Sequence, residues 1–219
     1  MVREAELSVT DAPGWWVEGL RAALEASSRP QGSEAAATAA ESFAARIPSG
    51  YVERTAPAAA AADMVELEAL GAGLGVAGGG PAEVRMTVQP DPDPGAGMFR
   101  LRLYGRRAME LSSFLPVLES FGLTVVEAVP HHIAARDGGH PWHLDDFGLR
   151  SRGRWPFDPA LDGTRLLAAI QAAWRGETEV DSLNRLVVRA GVDWSDVVVL
   201  RAYRRYRRQV GSPWTDRQL

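Results

Sequence analysis

A glycine-rich stretch divides this chain into two parts whose apolar residues follow different periods. Six glycines fall within residues 71–80, and Pro81 follows them. Before this stretch, apolar residues recur every three or four positions, which is the spacing of a helix with one buried face. After it, Val84, Met86 and Val88 alternate with polar residues, which is the spacing of a strand. The sequence therefore predicts helices before the stretch, a mobile linker within it and an α+β region beyond it.

The linker contains one candidate cofactor motif. Gly73, Gly75 and Gly78 form a literal G-x-G-x-x-G, which marks a dinucleotide site when a strand precedes it and a helix follows it. Here Pro81 and a strand-like alternation follow the glycines, so no helix N-terminus is left to hold a pyrophosphate. We therefore predict no NAD site in this segment.

Three helices are predicted before the linker. The first follows Pro13, the second spans residues 33–47 and ends at residues 48–50, and the third runs from Pro57 to Leu70. Because alanine buries little surface, these alanine-rich helices need a partner surface to pack on. Their predicted inward residues are Trp16, Val17, Leu20, Leu24, Ala36, Ala40, Phe43, Ile47, Ala60, Met64 and Leu67.

The middle of the chain predicts an antiparallel sheet with one helix against it. The helix is expected to begin at Ser112 or Ser113, to turn Leu111 and Phe114 inward and to end at Gly122. This outline is that of a small ACT-like or ferredoxin-like α+β domain. The predicted strands cover residues 83–89, 99–104, 123–129 and 140–149.

The second predicted strand has a regular alternation. Its apolar residues predict one buried side, and its polar residues predict a second side that faces water. The apolar positions are Phe99, Leu101 and Leu103, and the polar positions are Arg100, Arg102 and Tyr104.

The last third of the chain returns to helical spacing. Asp158 caps a helix that Gly176 ends, Gly191 ends a second helix, and Asp193 caps a third that runs to about Gln209. The fold class is therefore α+β, with helical segments on both sides of the sheet. The predicted parts are a helical segment with the linker over 1–80, an ACT-like domain over 81–152 and a helical domain over 153–219.

The composition excludes several kinds of chemistry. The 219-residue chain has no cysteine, which removes disulfides, thiolate metal sites and thiol catalysis. All 24 basic residues are arginine, which cannot serve as an amine nucleophile or a tunable base. An enzyme whose reaction needs a lysine is therefore incomplete here. Cytoplasmic location is expected, and no apolar run is long enough to span a membrane.

The four histidines lie close together in the sequence. His131, His132, His140 and His143 precede two adjacent carboxylates, and two histidines with a carboxylate can bind zinc or iron. However, neighbouring residues of a strand point to opposite faces. His131 and His132 therefore cannot both bind the same metal ion, and neither can the adjacent carboxylates Asp145 and Asp146. We predict no metal site.

The last predicted helix carries an arginine face. Arg201, Arg204, Arg205 and Arg208 recur at i, i+3, i+4 and i+7, and like charges at this spacing repel one another. We predict that these four arginines contact a protein partner, with carboxylates of the acidic N-terminal helices as the available counter-charges. The chain's net charge of −4 argues against nucleic acid as the partner.

The second half of the chain resembles the large bacterial NAD-specific glutamate dehydrogenases. The resemblance is good over residues 98–211 and faint over 15–97, and the matching segments keep their order and spacing. These segments are FRLRLY at 99–104, LPVLESFGL at 115–123, DFGL at 146–149, WRGE at 174–177, DSLNRLVVRAGVDW at 181–194, and residues 199–203 and 206–209.

This resemblance implies a segment that contains the last ACT-like domain and the helical segment after it, upstream of the catalytic domain. It implies oxidative deamination of L-glutamate to 2-oxoglutarate by the whole enzyme, with NAD as its cofactor. The family's catalytic and substrate-binding lysines have no counterpart here, so the segment itself is expected to be non-catalytic and regulatory. The expected partners are the rest of the enzyme chain and its oligomer, and an amino-acid effector is a candidate.

Two alternatives stay open at this point. The last two helices and the turn between them also have the outline of a helix-turn-helix, which would make the chain a stand-alone DNA-binding regulator. The chain could instead be an unrelated module that binds a small molecule. A basic surface that extends beyond the last helix favours the first alternative, and an apolar cleft between sheet and helix favours the second.

Overall fold

The computed structural model describes residues 12–27, 33–73, 84–93, 98–135, 140–151 and 157–210. Over these residues the chain forms eight α-helices and four strands. The helices are α1 (Gly14–Ala26), α2 (Ser33–Ala44), α3 (Ser49–Arg54), α4 (Pro57–Gly73), α5 (Leu111–Ser120), α6 (Pro159–Trp174), α7 (Arg185–Ala190) and α8 (Trp194–Gln209), with a 3-10 turn at Ser182–Asn184. The strands are β1 (Arg85–Pro90), β2 (Phe99–Gly105), β3 (Leu123–Ile133) and β4 (Trp142–Ser151).

The four strands form one antiparallel sheet in the order β1-β2-β4-β3. Since β4 is antiparallel to both of its neighbours, β2 and β3 run in the same direction. The connection from β2 through α5 to β3 is therefore a split β-α-β unit, with β4 inserted between its strands. The predicted α+β class, an ACT-like sheet with helical segments before and after it, is confirmed.

The chain separates into two compact units, and each unit takes part of every strand. The first unit holds α1 to α4 together with Arg102–Met109 and Ala128–Asp146. The second unit holds Thr87–Leu101 and Glu110–Glu127, and it continues from Phe147 through α6, α7 and α8. The boundaries at residues 81 and 153 stay predictions.

The predicted inward faces of the N-terminal helices form the core of the first unit. Trp16 and Leu20 of α1 are buried. Phe43 of α2 is buried as well, together with the other predicted inward residues of that helix, Ala36 and Ala40. The Trp16 indole Nε1 donates a hydrogen bond to the Thr55 carbonyl oxygen over 2.9 Å. This hydrogen bond satisfies the one polar atom of a buried tryptophan side chain.

The short helix α3 is an element that the sequence pattern misses. Residues 48–50 were expected only to end α2, but Pro48 takes the N-cap position of α3. Proline and serine are turn residues, and they are equally suited to the start of a new helix. The consequence is that Tyr51, which has no helical stripe of its own, becomes fully buried.

The prediction of a water-facing side for β2 is wrong. Arg102 and Tyr104 are 5% and 0% exposed, respectively, although both stand at the polar positions of the alternation. Alternation shows that one side of a strand is polar, but it does not show whether that side faces water or an internal partner. Here a carboxylate from α4 supplies the partner.

Helix α5 begins one residue before the expected start. Its first residue is Leu111, so Pro116 lies inside the second turn, where its ring nitrogen has no N–H to donate to the Ser112 carbonyl. Leu111 is exposed rather than inward. Phe114, in contrast, packs against Phe147 with ring centroids 5.7 Å apart.

The predicted helix ends are confirmed where a glycine provides them. Gly122, Gly176 and Gly191 have φ values of 76°, 74° and 63°, a region that glycine enters without a steric penalty. The predicted cap of α6 is confirmed as well, since the Asp158 carboxylate accepts a 2.9 Å hydrogen bond from an α6 N–H. Asp193 occupies the N-cap position of α8, but its side chain makes no capping hydrogen bond.

Helix α4 continues to Gly73, three residues beyond its predicted end. The first residues of the predicted linker are therefore helical. The remainder of that linker, residues 74–80, lies outside the described residues. Among the described helices, none combines the length and the apolar character that a membrane crossing requires.

Candidate functional site

A buried carboxylate organises the polar core of the first unit. Asp63 points inward from α4 and is fully buried. Its Oδ1 accepts hydrogen bonds from Tyr104 Oη over 2.7 Å and from Arg102 Nη1 over 2.9 Å. Its Oδ2 accepts from Tyr51 Oη over 2.5 Å and from Arg102 Nη1 over 2.7 Å. Each carboxylate oxygen therefore accepts two hydrogen bonds. Together these hydrogen bonds hold α4 to β2 and to α3.

The charges in this Asp63 cluster depend on one another. Burial raises the pKa of Asp63, while the Arg102 guanidinium and the two phenols oppose that rise. Burial and the charge of Asp63 raise the pKa of Tyr51 well above its usual value, so this phenol stays protonated as a donor. Burial alone would lower the pKa of Arg102, but the carboxylates of Asp63 and Asp146 outweigh burial and raise it. The cluster is suited to a fixed structural role, because the Asp63 carboxylate and the phenols of Tyr51 and Tyr104 are hydrogen-bonded to one another or to Arg102 and are buried.

The adjacent carboxylates of β4 point to opposite faces, as predicted. Asp146 lies 3.3 Å from Arg102 Nε and joins the Asp63 cluster. Asp145 instead accepts a 3.0 Å hydrogen bond from the Met109 N–H. Burial raises the pKa of Asp145, and that N–H opposes the rise.

The adjacent histidines of β3 also separate. His131 is buried, and its ring packs edge-on against Tyr51 at a centroid distance of 5.3 Å. His132 is exposed, and its ring lies 4.0 Å from that of His143 on β4. Burial, followed by the charge of His132, lowers the pKa of His143. Over the described residues, no three histidine or carboxylate side chains are arranged to hold a metal ion.

Arg201 does not face outward, so its predicted place in a partner-contact face is wrong. It is 5% exposed, and its Nε and Nη2 donate to the two carboxylate oxygens of Asp181 over 2.9 and 3.0 Å. Its Nη1 donates to Thr178 Oγ1 over 2.9 Å, and its Nη2 also donates to Asn184 Oδ1 over 3.1 Å. Asp181, which directly precedes the 3-10 turn, therefore neutralises this arginine. The predicted counter-charges were carboxylates of the N-terminal helices.

The loop that ends at Asp181 supplies a second counter-charge. Glu179 forms an ion pair with Arg205, which is largely exposed. Asp181 also accepts a 3.0 Å hydrogen bond from the Leu183 N–H, which caps the 3-10 turn. Burial raises the pKa of Asp181, but Arg201 and the Leu183 N–H outweigh it, so the pKa is lowered overall. A contact face that consists of Arg204, Arg205 and Arg208 stays a prediction.

The opposite side of α8 carries a feature that the sequence analysis did not single out. Val199, Tyr203, Tyr206 and Val210 follow one another at i, i+4, i+7 and i+11. Their exposed fractions are 53%, 66%, 62% and 60%. We call these four residues the outward stripe. A helix normally turns such a stripe toward a core, whereas among the described residues nothing covers this one.

The first unit also has a cavity between α2 and α4. Its volume is about 170 Å³, and Phe43, Met64 and Leu67 supply an apolar lining. Arg46, Glu68 and Trp142 contribute to the same cavity. We call it the α2–α4 cavity. It lies against the N-terminal helices, a place where the sequence analysis predicted no site.

Two family models match this chain. Residues 83–161 match the glutamate dehydrogenase ACT3 domain, and residues 178–219 match the glutamate dehydrogenase helical motif 3. The ACT3 match contains the sheet and α5, and the helical-motif match contains the 3-10 turn, α7 and α8.

Three curated proteins that are named NAD-specific glutamate dehydrogenase are similar to this chain. The protein of Mycobacterium tuberculosis is 38% identical over 116 residues, which is 51% of this chain and 7% of that protein. The protein of Halomonas elongata is 35% identical over 111 residues, which is 50% of this chain and 7% of that protein. The protein of Pseudomonas aeruginosa is 30% identical over 169 residues, which is 77% of this chain and 10% of that protein. The chain thus spans a tenth or less of the length of these relatives.

Proposed function

Because the chain belongs to the family of NAD-specific glutamate dehydrogenases, we propose that it is a non-catalytic regulatory and assembly segment of such an enzyme. The whole enzyme would convert L-glutamate to 2-oxoglutarate by oxidative deamination with NAD, in the cytoplasm. The matched parts are an ACT domain and a helical motif, which supports a role outside the chemical step.

The residues of this segment support the non-catalytic part of the proposal. There is no lysine and no cysteine in the chain, so amine and thiol chemistry are absent. The Asp63 cluster and the Arg201–Asp181 pair use their charges on internal partners. The α2–α4 cavity, at about 170 Å³, is smaller than typical ligand pockets of roughly 300–1,000 Å³, so it cannot enclose a dinucleotide.

The outward stripe is the observation that carries the assembly role. Helix α8 buries only Val197 and Arg201, yet its opposite side presents two valines and two tyrosines to solvent. Transfer of half-exposed side chains of this size into an interface contributes on the order of 1 kcal/mol each. Tyrosine is also enriched in protein interfaces, where its ring packs and its hydroxyl stays hydrogen-bonded. We propose that another part of the same enzyme or its oligomer covers this stripe.

The same observation weighs against the helix-turn-helix alternative. A recognition helix presents basic and polar side chains to the groove, whereas the solvent-facing side of α8 is centred on valine and tyrosine. Arg201 is also held inside the unit by Asp181, so it is unavailable to phosphate.

The assembly proposal is tested on the full-length enzyme that carries this segment. The variant Tyr203→Ser/Tyr206→Ser removes the centre of the outward stripe. The matched control is Leu161→Ser, because Leu161 is even more exposed but lies on α6. We expect light scattering to show a lower assembled fraction for the stripe variant only, with unchanged helix content by circular dichroism. Equal assembly of the two variants would contradict the proposal.

A further inference from the structure

The outward stripe has the same pattern in both directions along α8. Its residues are valine, tyrosine, tyrosine and valine, and the steps between Val199, Tyr203, Tyr206 and Val210 are four, three and four residues. The order of residue types and the order of steps are therefore both palindromic. A second copy of the helix that runs in the opposite direction presents the identical pattern, so the stripe is complementary to itself.

The spacing of the stripe is that of a helix that packs along another helix. Steps of three and four residues alternate where two helices lie side by side, because seven residues make nearly two turns. Val197 and Arg201, the buried residues of α8, lie on the opposite side of the helix and hold it to its own unit. The stripe is therefore placed to accept a second helix while α8 keeps its contacts within the unit.

An acidic partner is not needed to balance the arginines of α8. Asp181 accepts hydrogen bonds from Arg201 and interacts electrostatically with Arg204, and Glu179 pairs with Arg205. These carboxylates belong to the same unit as α8. The angular positions of the three arginines, at 100° per residue, point away from the stripe. An apolar contact along the stripe therefore leaves their ion pairs in place.

Asp196 determines the direction of a second copy. It lies three residues before Val199, so it takes the next position of the same stripe, and it is exposed. In a parallel pair the two Asp196 carboxylates would face each other, and like charges in this position repel. In an antiparallel pair Val199 lies level with Val210 of the other copy, and Asp196 lies beyond the end of that stripe. Opposed helix dipoles favour the antiparallel direction as well.

We propose that the outward stripe of this chain is covered by the outward stripe of a second copy, with the two α8 helices antiparallel about a two-fold axis. Tyr203 of each copy lies against Tyr206 of the other, and Val199 of each lies against Val210 of the other. Such a contact uses the same surface on both copies, as the interfaces of two-fold dimers do. Its place in the assembly of the enzyme rests on the proposed function.

The length of the contact sets its strength. Residues 199–210 extend about 16 Å along the helix axis at 1.5 Å per residue, so the contact has fewer residues than a standard interface with roughly 20–30 on each side. We therefore expect a weak dimer of the isolated chain. In an enzyme oligomer that already holds the copies together, the same contact forms at a higher effective concentration.

Single cysteines test both the contact and its direction, because the chain has no cysteine of its own. In the antiparallel pair, position 199 of one copy lies level with position 210 of the other, where a disulfide bond can form. The two copies of position 199 are about 16 Å apart along the axis, at 1.5 Å per residue, which is too far for a disulfide bond. In a parallel pair each position lies level with its own copy, so the opposite result is expected.

Chains with Val199→Cys and Val210→Cys are incubated in a glutathione redox buffer, separately and as an equal mixture. The control is Leu161→Cys, because Leu161 is 78% exposed but lies on α6. We expect the mixture to form disulfides between positions 199 and 210 at about ten times the yield of the control, and neither chain alone to exceed the control. Mass spectrometry of tryptic fragments identifies the joined positions. Mainly 199–199 and 210–210 disulfides, or a yield no higher than the control, overturns the proposal.

Sedimentation equilibrium of the 219-residue chain measures the strength of the contact. We expect a monomer–dimer equilibrium with a Kd of about 100 μM or tighter, weakened at least about tenfold by Tyr203→Ser/Tyr206→Ser and unchanged by Leu161→Ser. Circular dichroism confirms that each variant is folded. Added salt should not weaken this apolar contact, whereas it would weaken a contact between arginines and carboxylates. A wild-type chain that stays monomeric, or a dimer that salt dissociates, overturns the proposal.

The two tests together separate this pairing from the proposed function. Loss of assembly in the Tyr203→Ser/Tyr206→Ser enzyme, without 199–210 disulfides in the isolated chain, overturns the pairing and leaves the assembly role supported, with a different part of the enzyme on the stripe. Disulfides between positions 199 and 210 without any loss of assembly support the pairing and contradict the assembly role. Both effects together support both proposals.

Discussion

The Arg201–Asp181 pair offers the sharpest test of how the second unit is stabilised. Arg201 is almost fully buried, and it donates to both carboxylate oxygens of Asp181 as well as to Thr178 and Asn184. The substitution Arg201→Met keeps much of the length and apolar volume of the side chain but removes the guanidinium. It leaves Asp181 with the Leu183 N–H as its remaining donor in this set of contacts.

The expected cost follows from the burial of this pair. Removal of one partner of a buried ion pair costs about 3–5 kcal/mol. Asp181 retains 31% of its side-chain exposure, so water replaces part of what it loses and the whole range moves down by about 1 kcal/mol. We therefore expect Arg201→Met to lower the free energy of unfolding by about 2–4 kcal/mol.

Urea denaturation followed by circular dichroism measures this change. The matched control is Arg205→Met, one turn further along α8, where the arginine is 63% exposed and pairs with Glu179. An exposed ion pair contributes about 0–1 kcal/mol, so this control should lie within that range. Equal losses for the two variants would refute the reasoning, because they would show that burial of Arg201 adds nothing to its contribution.

Three further predictions rest on other features of the structure. Tyr51→Phe removes a buried hydrogen bond to Asp63 and should lower the free energy of unfolding by about 1–3 kcal/mol, whereas the exposed Tyr203→Phe should change it by less than about 0.5 kcal/mol in the same urea titration. The pKa of Asp181 is lowered in the folded chain, so its stabilisation by Arg201 is present above the usual carboxylate pKa of about 3.9 and is lost as the pH falls through the lowered value; the difference between the wild-type chain and Arg201→Met should therefore shrink in acid unfolding titrations. Calorimetry and an absorbance assay should show neither a saturable NAD site nor glutamate oxidation by the 219-residue chain, and a saturable NAD isotherm would contradict its non-catalytic assignment.

Much of the fold is predictable from the sequence because it depends on neighbours along the chain. The apolar spacing of Trp16, Leu20 and Leu24 places one buried face on α1 regardless of what covers it. Gly122 and Gly191 end helices through a local backbone conformation with positive φ. Asp158 caps α6 through a hydrogen bond that spans two residues.

The outward stripe could have been found in the sequence by the same reasoning. Val199, Tyr203, Tyr206 and Val210 have helical spacing, but Arg201 and its neighbouring arginines dominate the pattern of that helix. Charged side chains usually face outward, which is the arrangement that the prediction of an arginine face assumes. In α8 the arrangement around Arg201 is reversed, since its counter-charge lies on the inner side.

The sequence by itself determined the α+β class, the helical faces of the N-terminal segment and the stops at glycine, because these follow from local spacing and backbone preference. Only the tertiary structure decided which polar side chains are internal. Arg102 and Asp63 are 39 residues apart, Tyr104 and Asp63 are 41 apart, and Arg201 and Asp181 are 20 apart. A charged side chain is stable inside a protein only when a partner satisfies it, and a partner so distant along the chain is brought into contact only by folding.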